Sequence, residues 1–438
     1  LAEISFKIYN KVPKNIIAVT GTNGKSSVAD FYYQILRLNN KRAASIGTLG
    51  VKSKNINLNL SNTTIDPIKL AKILTKLKSH KVENIILEAS SHGLKQNRLD
   101  GLKFNSGIFT NLSQDHLDYH KNLNEYLKAK LYLFEKLIRK GGNVITDQSI
   151  PQFKKIKKIT SNRKLKLQTL NDKKNNFQII SHGFKGETQF LKIKHNNLTR
   201  DINFNLIGKI QLRNVMMAVI AAKNSHLSLD KILNIIPRLK PVEGRLERVG
   251  KIKNLSKVIL DYAHTPDALK TCLLNLREQF PNKKITLLFG CGGDRDQNKR
   301  SKMGKIASNY ADNIILTNDN PRFENPEKIR RDIKKGIKKK RIIEISNRAI
   351  AISEAIKNLN TGNILLVAGK GHEKTQEIKN KKIYFSDRKI ILNAIKEKNN
   401  DLSDNLKINV IKEVAQISKL PSSLSIKDAR INSQEVSK

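Results

Sequence analysis

The chain has 438 residues, with 83 Lys and Arg against 38 Asp and Glu, a formal net charge of +45, and two cysteines. This length suits two or three domains, and no apolar run approaches the roughly 18 residues that a membrane-spanning helix needs. The two cysteines form no CxxC pair, which excludes a disulfide framework and a thiolate zinc site. We therefore expect a multidomain protein of the reducing cytoplasm without a membrane segment.

The positive charge could indicate a nucleic-acid partner, because clustered Lys and Arg bind phosphates by releasing counterions. The lysines are instead scattered through every segment, the chain has no Trp, and no stretch interleaves basic with aromatic residues. A compositional bias explains the charge better, with anionic substrates as a secondary reason. We expect no nucleic-acid partner.

Short β-branched runs alternate with segments of helical periodicity, which is typical of parallel sheets with crossover helices. One series extends from about Asn15 to Leu239. A second series has predicted strands at Lys257–Leu260, Ile285–Phe289, Asn313–Leu316 and Asn363–Val367. The sequence therefore predicts an α/β protein.

Two prolines and a glycine in Pro237–Gly244 predict a domain boundary. We expect a central domain over residues 1–238 and a C-terminal domain over residues 239–397. From about Lys396 the chain becomes polar, which predicts a linker within residues 398–438.

A glycine-rich segment, Gly21-Thr-Asn-Gly-Lys-Ser26, follows a predicted strand at Asn15–Thr20. The next apolar residues mark one face of a helix: Val28, Tyr32, Ile35 and Leu36. Strand, glycine loop and helix are the setting in which backbone amides bind a polyphosphate, while the lysine adds charge and the serine can bind magnesium. The usual P-loop spacing would need another glycine at Val19, so only a shorter variant of the motif is present.

Seven further motifs follow in order along the chain. They are Asn62-Thr-Thr64, Glu88–Arg98, Thr110–His120, Asp261-Tyr-Ala-His-Thr-Pro-Asp267 with Gly290–Asp296, Asp319-Asn-Pro-Arg322, and Gly369-Lys-Gly-His-Glu373. With the loop Thr20–Ser27 they resemble the Mur ligase family, and within it the branch that forms the UDP-linked tripeptide, over about residues 11–395. The resemblance implies a P-loop-type central ATPase domain with a mostly parallel sheet, followed by a Rossmann-like α/β C-terminal domain.

The resemblance also implies site residues on the nucleotide side. ATP would be bound by Gly21, Thr22, Asn23, Gly24, Lys25, Ser26, Ser27, Asn214 and Arg245, and Mg²⁺ by Ser26, Glu88 and His116. The catalytic residues would be Lys25, Lys130 and His116, with Lys130 carbamylated and so converted from a cation to an anion. From periodicity alone, Lys130 would be a solvated or snorkelling lysine in a helix over Tyr126–Phe134. Gln211 stands where many relatives carry Asn, which leaves the adenine contacts open.

Two further groups of residues match family contacts to the other substrates. Those to UDP-N-acetylmuramoyl-L-alanyl-D-glutamate are Thr63, Thr64, Ser90, Gln96 and Arg98. Those to the incoming amino acid are Arg295, Asp319, Asn320, Pro321, Arg322, Gly369 and Glu373. Meso-diaminopimelate carries a far carboxylate that lysine lacks, and Arg322 offers it a bidentate partner, so we expect diaminopimelate to be the amino acid.

The implied reaction is ATP-dependent amide formation through an acyl phosphate, in the synthesis of peptidoglycan precursors. The alternatives are a lysine-adding ligase, a folylpolyglutamate synthetase or other amide ligase of the superfamily, and a fragment that only binds nucleotide. The family has an N-terminal UDP-binding domain for which few residues precede Gly21, so we expect that domain to be absent from this chain. The segment Ile426–Lys438 weakly resembles the start of another Mur ligase, which raises the prospect of a fusion to the next enzyme of the pathway.

Overall fold

The computed structural model describes residues 1–170, 177–195, 198–338 and 342–417. In this part of the chain, two mostly parallel sheets form two α/β units, as the sequence predicts. The Ile426–Lys438 motif lies outside the described residues. None of the described helices contains an apolar stretch long enough to cross a bilayer.

The central unit is built on an eight-stranded sheet. Its strands are β1 (Asn15–Thr20), β2 (Ala43–Gly47), β3 (Gly50–Lys52), β4 (Asn57–Leu58), β5 (Asn84–Glu88), β6 (Phe104–Phe109), β7 (Ile138–Thr146) and β8 (Lys166–Thr169). Their order is β4-β3-β2-β5-β1-β6-β7-β8, and every pair from β2 to β8 is parallel, while β3 and β4 pair antiparallel. The carboxyl ends of the parallel strands therefore share one edge of the sheet, where α/β proteins bind ligands.

Helices cover both faces of this sheet. They are α1 (Ala2–Ile8), α2 (Lys25–Leu38), α3 (Pro67–Ser79), α4 (Ser91–Lys95), α5 (Leu117–His120), α6 (Leu123–Tyr132), α7 (Phe153–Asn162), α8 (Lys209–Lys223) and α9 (Leu229–Leu233). A π-helical turn, Leu133–Leu137, extends α6. An antiparallel three-stranded sheet precedes α8: β9 (Phe177–Lys185), β10 (Thr188–His195) and β11 (Leu198–Phe204).

Strand β1 shows why the sequence of this sheet is apolar without alternation. Ile17 and Val19 pack into the core under α2 and α8, whereas Ile16 and Ala18 pack into the core on the opposite face. Successive side chains of a strand point to opposite faces, so a parallel strand covered on both sides is buried at every position. The predicted face of α2 is also confirmed, because Val28, Tyr32, Ile35 and Leu36 are all fully buried.

The second unit contains a six-stranded sheet and a hairpin. The sheet strands are β12 (Glu247–Arg248), β13 (Lys257–Asp261), β14 (Ile285–Phe289), β15 (Asn313–Leu316), β16 (Ile342–Glu344) and β17 (Ile364–Ala368), in the order β12-β13-β17-β14-β15-β16; the hairpin pairs β18 (Thr375–Ile378) with β19 (Lys381–Tyr384). Only β12 runs antiparallel to its neighbour in the sheet. The helices are α10 (Pro266–Gln279), α11 (Asn298–Tyr310), α12 (Pro326–Lys334), α13 (Arg348–Lys357) and α14 (Asp387–Ile417).

The two units meet at the start of α8. Asn275 and Gln279 of α10 accept hydrogen bonds from the backbone N–H groups of Ile210 and Gly208, at 3.0 and 2.8 Å. Helical N–H groups of the first turn have no partner within the helix, so these side chains satisfy them from the other unit. The segment Pro237–Gly244 lies between the last helical turn of the central unit and β12, and the domain limits drawn from it stay predictions.

The stretch expected to be a linker after Lys396 is helical as far as Ile417, so that expectation is wrong for these residues. Lys398 explains the difference. Its Nζ donates to the carbonyls of Ile356, Lys357 and Leu359 at 2.9, 2.9 and 2.7 Å. A cation beside the carbonyls at the C-terminal end of α13 is favourable, and it ties the middle of α14 to the second unit.

Candidate functional site

The glycine loop lies where the sequence placed it, between the end of β1 and the start of α2. Gly24 precedes α2 with φ +87°, and a Cβ there would lie 2.7 Å from Oδ1 of Asn214. Gly21 has φ +145°, and a Cβ there would lie 1.9 Å from Oγ1 of Thr110. Both positions need glycine, because the backbone is in a region unfavourable to side chains and the neighbouring atoms leave no room.

Residues after β6 hold the loop in place. The backbone N–H groups of Thr22 and Asn23 donate to the carbonyl and to Oδ1 of Asn111, each at 2.9 Å. Oγ1 of Thr110 donates to the carbonyl of Asn23 at 2.6 Å. These supporting residues follow the carboxyl end of β6. Nothing in the sequence singled out Asn111 beyond its place in the Thr110–His120 motif.

Two lysines approach the loop from different helices. Nζ of Lys25 donates to the carbonyls of Gly21 and Thr22 at 2.9 and 2.8 Å. Nζ of Lys130, on α6, donates to the carbonyl of Gly21 at 2.8 Å and lies 4.2 Å from the centre of the Tyr126 ring. Lys130 is 1% exposed, so the solvated reading of this lysine is wrong.

Burial decides the charge state of these two amines. Desolvation lowers the pKa of Lys25, although Glu88 and Asp115 oppose the effect. The pKa of Lys130 falls well below its ordinary value, first because of desolvation and then because of the positive charge of Lys25. A buried lysine beside another cation is therefore disposed to be neutral and nucleophilic.

Glu88 ends β5 and is 2% exposed. Its carboxylate accepts hydrogen bonds from Oγ of Ser26 at 3.0 Å, from the N–H of Thr48 at 2.9 Å, and from Oγ1 of Thr48 at 3.1 Å. Two of the three predicted metal ligands, Ser26 and Glu88, thus touch each other. The third, His116, lies in the loop before α5, where its Nε2 is 3.5 Å from Oδ2 of Asp115.

His116 is held neutral by its surroundings. Burial, and the nearby charges of His92, Lys25 and Lys130, lower its pKa to about 4, although Asp115 opposes them. A neutral imidazole can offer a nitrogen lone pair to a metal ion or a proton. Its φ is +53°, which fixes an uncommon backbone conformation at this position.

Asn214 and Arg245, two of the residues predicted to bind ATP, are linked through Gln211. Nδ2 of Asn214 donates to Oε1 of Gln211 at 3.1 Å, and Nε2 of Gln211 donates to the carbonyl of Arg245 at 2.8 Å. The guanidinium of Arg245 lies 4.4 Å from the centre of the Tyr262 ring. Gln211 thus joins the central unit to the second unit beside the loop, a role for which its longer side chain is suited.

Of the residues predicted to contact the UDP-linked precursor, Thr64 is hydrogen-bonded to Ser90 and Arg98, and Arg98 to Gln96. Oγ1 of Thr64 donates to the carbonyl of Glu88 and accepts from the N–H of Ser90, at 2.8 and 2.9 Å. Nη1 of Arg98 donates to the carbonyl of Thr64 at 2.5 Å, and its Nε donates to Oε1 of Gln96 at 2.9 Å. Gln96 does not line the cavity described below; it orients Arg98 instead.

Asn320, one of the residues predicted to bind the amino acid, is the centre of a hydrogen-bond network. Its Oδ1 accepts from Nζ of Lys370 at 2.8 Å, and its Nδ2 donates to Oε2 of Glu373 at 3.1 Å. Lys370 is 0% exposed and also donates to Glu373 and to the carbonyl of Thr375, at 3.0 and 2.7 Å. The network joins the loop after β15 to the loop after β17, so it holds these two loops in a fixed relative position.

Arg322 lies beside this network, with φ +51°. Its Nε donates to Oε2 of Glu377 and its Nη1 donates to the carbonyl of Gly293, both at 2.8 Å. Among the described residues no partner takes Nη2. Guanidinium has five N–H donors in a fixed fork, so the Nη1–Nη2 end keeps three hydrogens for a carboxylate.

One cavity of about 510 Å³ joins the two groups of residues that the sequence predicts to contact the precursor and the amino acid. From the central unit it is lined by Thr63, Thr64, Ser90, Arg98 and His116, and from the second unit by Arg295, Asp319, Asn320, Arg322, Gly369 and Glu373. Pro321 and Gln96 do not line it, nor do Lys25, Lys130 and the rest of the glycine loop. The predicted precursor and amino-acid contacts therefore face one space across the boundary between the units.

The cavity also contains residues that the predictions did not select. They are chiefly His92, Asp115, Tyr262, His264, Lys299 and Lys302. His92 stacks on Tyr119 with ring centres 4.0 Å apart, and burial lowers its pKa. The two histidines belong to the Glu88–Arg98 and Asp261–Asp267 motifs, which was the available signal, but a motif does not say which of its side chains faces the ligand.

Comparisons with known proteins agree with this geometry. The profile of the Mur ligase middle domain matches residues 19–222, and that of the Mur ligase glutamate ligase domain matches residues 244–371. Over 396 residues the chain is 42% identical to the UDP-N-acetylmuramoyl-L-alanyl-D-glutamate--2,6-diaminopimelate ligase of Rickettsia montanensis, which covers 89% of this chain and 81% of that relative.

Solved structures give the same grouping. A structure of UDP-N-acetylmuramoyl-L-alanyl-D-glutamate--2,6-diaminopimelate ligase aligns with a TM-score of 0.63 and 32% identity, covering 88% of this chain and 79% of that one. The folylpolyglutamate synthase of Mycobacterium tuberculosis, solved with ADP and AMPPCP, aligns with a TM-score of 0.68 but only 14% identity, over 83% of this chain and 91% of that one, and so shares the fold alone. With two family profiles and relatives of this identity, the chain belongs to the Mur ligase family of ATP-dependent amide ligases.

Proposed function

We propose that this chain joins meso-diaminopimelate to UDP-N-acetylmuramoyl-L-alanyl-D-glutamate in peptidoglycan precursor synthesis, with ATP as the source of energy. The observation that carries the proposal is the shared cavity, which places Arg98 and Thr64 opposite Arg322 and Glu373. An amide ligase must hold a carboxylate and an amine of two different molecules within reach of each other. The relatives that align over most of this chain carry the name of this reaction.

The nucleotide would occupy the loop at the start of α2. The N–H groups at the start of α2 suit a polyphosphate, and Lys25 adds charge beside them. Asn214 and Arg245 would contact the rest of the nucleotide from α8 and from the second unit. The phosphoryl group would pass to the D-glutamyl side-chain carboxylate, which gives an acyl phosphate.

Mg²⁺ fits the oxygen donors of Ser26 and Glu88. In the described part of the chain no three His, Cys, Asp or Glu side chains converge on one point. Magnesium commonly uses one or two protein oxygens together with phosphates and water, so a hydroxyl and a carboxylate 3.0 Å apart suffice. When bound, the ion would neutralise the charge that develops on the transferred phosphoryl group. His116 would complete the set if its loop brings the imidazole to the ion.

Carbamylation of Lys130 is part of the proposal. Carbon dioxide adds to a neutral amine, and the lowered pKa of Lys130 favours that form. The resulting anion would replace repulsion between Lys130 and Lys25 by attraction, close to the carbonyl of Gly21. It would therefore orient Lys25 and balance the positive charge that the phosphate site collects.

The second unit would supply the amine and select it. Arg322 would bind the far carboxylate of diaminopimelate through the Nη1–Nη2 end of its guanidinium, because Glu377 occupies the Nε side. Lysine would leave that partly buried fork unpaired, and a site that has lost one charged partner binds poorly. Arg295, Asp319, Gly369 and Glu373 would contact the near amino-acid end of the substrate.

Release of ADP tests the reaction class. With ATP and Mg²⁺ present, the proposal predicts fast ADP release only when UDP-N-acetylmuramoyl-L-alanyl-D-glutamate and diaminopimelate are added together. ADP release that ignores both would reduce the chain to a nucleotide-hydrolysing module. We place the reaction in the cytoplasm, because ATP supplies the energy for amide formation and both cysteines are buried free thiols.

A further inference from the structure

We infer that His264 is the group that takes the proton from the attacking amine, an inference that rests on the proposed function. Amide formation from an acyl phosphate releases one proton from nitrogen, and none of the predicted site residues was assigned to receive it. The acceptor must lie in the shared cavity, within hydrogen-bond reach of a nitrogen that is held between its two walls.

The hydrogen bonding of His264 determines which of its nitrogens is basic. Nδ1 lies 2.8 Å from the carbonyl oxygen of Tyr262. A carbonyl only accepts, so Nδ1 carries the hydrogen and Nε2 carries the lone pair. His264 lines the cavity, and in the described residues no hydrogen-bond partner occupies its Nε2. The imidazole is thus fixed in the tautomer that a base needs.

Its position in the fold places it beside the amine. His264 follows β13, at the carboxyl edge of the second sheet, and Thr265 next to it caps α10 by accepting from the N–H of Ala268 at 3.3 Å. The parallel neighbour of β13 is β17, which leads directly into Gly369. His264 and the loop that begins at Gly369 therefore follow adjacent strands, on the side of the cavity that would hold diaminopimelate.

The other groups in the cavity are less suited to accept the proton. Oε2 of Glu373 already accepts from Lys370 and Asn320, and Oδ1 of Asp319 accepts from the N–H of Asn320 at 2.7 Å. Carboxylates are also much weaker bases than an imidazole towards an amine. His92 is stacked on Tyr119 at the precursor wall. His116 faces Asp115 and is reserved for the metal site.

Charges from both units surround His264. Those of the central unit are Asp115, Asp118, His92 and His116, and those of the second unit are Arg295, Asp296, Lys299, Lys302, Glu373 and the neighbouring His372. Asp115 interacts with His264 across the boundary between the units. An imidazolium formed at His264 would be stabilised by that carboxylate, so the pair is complete only when the two units are together.

The step balances as follows. The lone pair of the diaminopimelate amine forms the C–N bond to the acyl carbon, and the bond from that carbon to the phosphate oxygen breaks. Phosphate leaves with the electron pair of that bond. The surplus proton on nitrogen passes to Nε2 of His264, and the imidazolium then releases it to solvent.

The test compares His264→Asn with wild type on the full chain. Asparagine keeps an N–H near the position of Nδ1 for the Tyr262 carbonyl but has nothing in place of Nε2. We expect kcat for tripeptide formation to fall by about 10²–10⁴-fold, the usual contribution of a general base. His264→Gln, which places an amide near the position of Nε2, should show the same loss.

Hydroxylamine separates the base from a structural role. It is neutral and nucleophilic near pH 7 and captures acyl phosphates as hydroxamates without needing a base. Hydroxamate formation from ATP and the UDP-linked precursor should stay within about threefold of wild type in His264→Asn, in contrast to the loss of general-base catalysis.

Two results would overturn the assignment: unchanged tripeptide formation in both variants, or an equal loss of hydroxamate and tripeptide. Failure of wild type to form any tripeptide would instead remove the proposed function, and the inference with it. Circular dichroism of each variant checks that the fold is intact.

Discussion

Nε of Arg322 donates to Oε2 of Glu377 at 2.8 Å, so the carboxylate of Glu377 covers one side of the guanidinium. The opposite end is left for a ligand at the cavity. In the proposed function, the hydrogen bonds from this free end of the guanidinium to the far carboxylate select the amino acid.

Replacing Arg322 with Lys should therefore lower kcat/KM for diaminopimelate by about 10- to 100-fold, because hydrogen bonds to a charged group contribute about 1.5–3 kcal/mol. KM for ATP should not change. Arg331→Lys is the matched control, since that arginine is exposed on α12 and pairs with Glu327, and neither residue lines the cavity. Steady-state kinetics with both substrates varied decide the matter, and an undiminished kcat/KM in Arg322→Lys would refute the role.

Lys130→Arg should reduce kcat by roughly 10²–10³-fold, as does removal of other preorganised charges. Arginine stays cationic and cannot form a carbamate, so the repulsion with Lys25 would persist. Lys128→Arg, on the exposed side of the same helix, should leave kcat unchanged. Native mass spectrometry in bicarbonate should find one added CO₂ in wild type and none in Lys130→Arg; full activity of the arginine variant would contradict the proposal.

Gly24→Ala should weaken ADP binding at least tenfold. Left-handed backbone costs a residue with a Cβ about 1–2 kcal/mol, and the new methyl group would meet Oδ1 of Asn214 at 2.7 Å. Gly183→Ala on β9 is the control, because no atom lies within 4 Å of its added Cβ. Isothermal titration with ADP measures the difference, and equal affinities would show that the loop can adjust.

The most deeply buried ion pair joins α13 to the start of α14. Arg348 donates from Nε and Nη2 to Asp387 at 2.8 and 2.7 Å, with both side chains 0% exposed, and Nη2 also donates to the carbonyl of Ala368. The pair therefore supports the strand end that precedes Gly369.

Arg348→Met should lower the free energy of unfolding by about 3–5 kcal/mol, because it strands the buried carboxylate of Asp387. Glu327→Gln breaks the exposed pair with Arg331 and should cost no more than about 1 kcal/mol. Urea unfolding followed by circular dichroism compares the two. Equal shifts of the two midpoints would mean that burial does not set the strength of the Arg348 pair.

Acid should destabilise the protein partly through His120. Burial, with the charges of His92, Lys95 and Lys130, lowers its pKa from 6.5 to about 4. Between these values the unfolded chain binds more protons than the folded one, so stability falls as pH falls from 6.5 to 4 and is unaffected above that window.

His120→Gln tests this contribution, since glutamine can keep the 2.9 Å contact that Nε2 makes with Oγ of Ser91. The drop in thermal midpoint from pH 7 to pH 4 should be smaller in the variant than in wild type. Parallel curves for the two proteins would exclude His120 as the titrating group.

The sequence predicted the sheets well, because parallel strands buried on both faces are apolar without alternation, as β1 is over Ile16–Val19 and β17 is throughout. The glycine loop was predictable too, since Gly21 and Gly24 provide the positive φ angles that a tight loop between a strand and a helix requires. Lys130 was not predictable from periodicity. Its burial comes from the carbonyl of Gly21, 109 positions away in the sequence, and helical spacing contains no information on such a contact.

The helix after Lys396 and the role of His264 could not be predicted from the sequence for the same reason. Polar composition near Asn399 suggested a linker, but Lys398 donates to three carbonyls at the C-terminal end of α13 and just beyond it, which only the fold brings near. The tautomer of His264 likewise depends on one hydrogen bond to Tyr262. Long-range contacts decide both features, whereas the motifs indicated only which segments to inspect.

The most direct measurement is a ligation assay in which meso-diaminopimelate and L-lysine compete in one reaction. It would contain ATP, Mg²⁺, bicarbonate and UDP-N-acetylmuramoyl-L-alanyl-D-glutamate, with the products identified by mass. The proposed function predicts that the diaminopimelate tripeptide dominates and forms only with ATP. A dominant lysine product would contradict the assignment of Arg322, and the absence of any tripeptide would contradict the ligase activity itself.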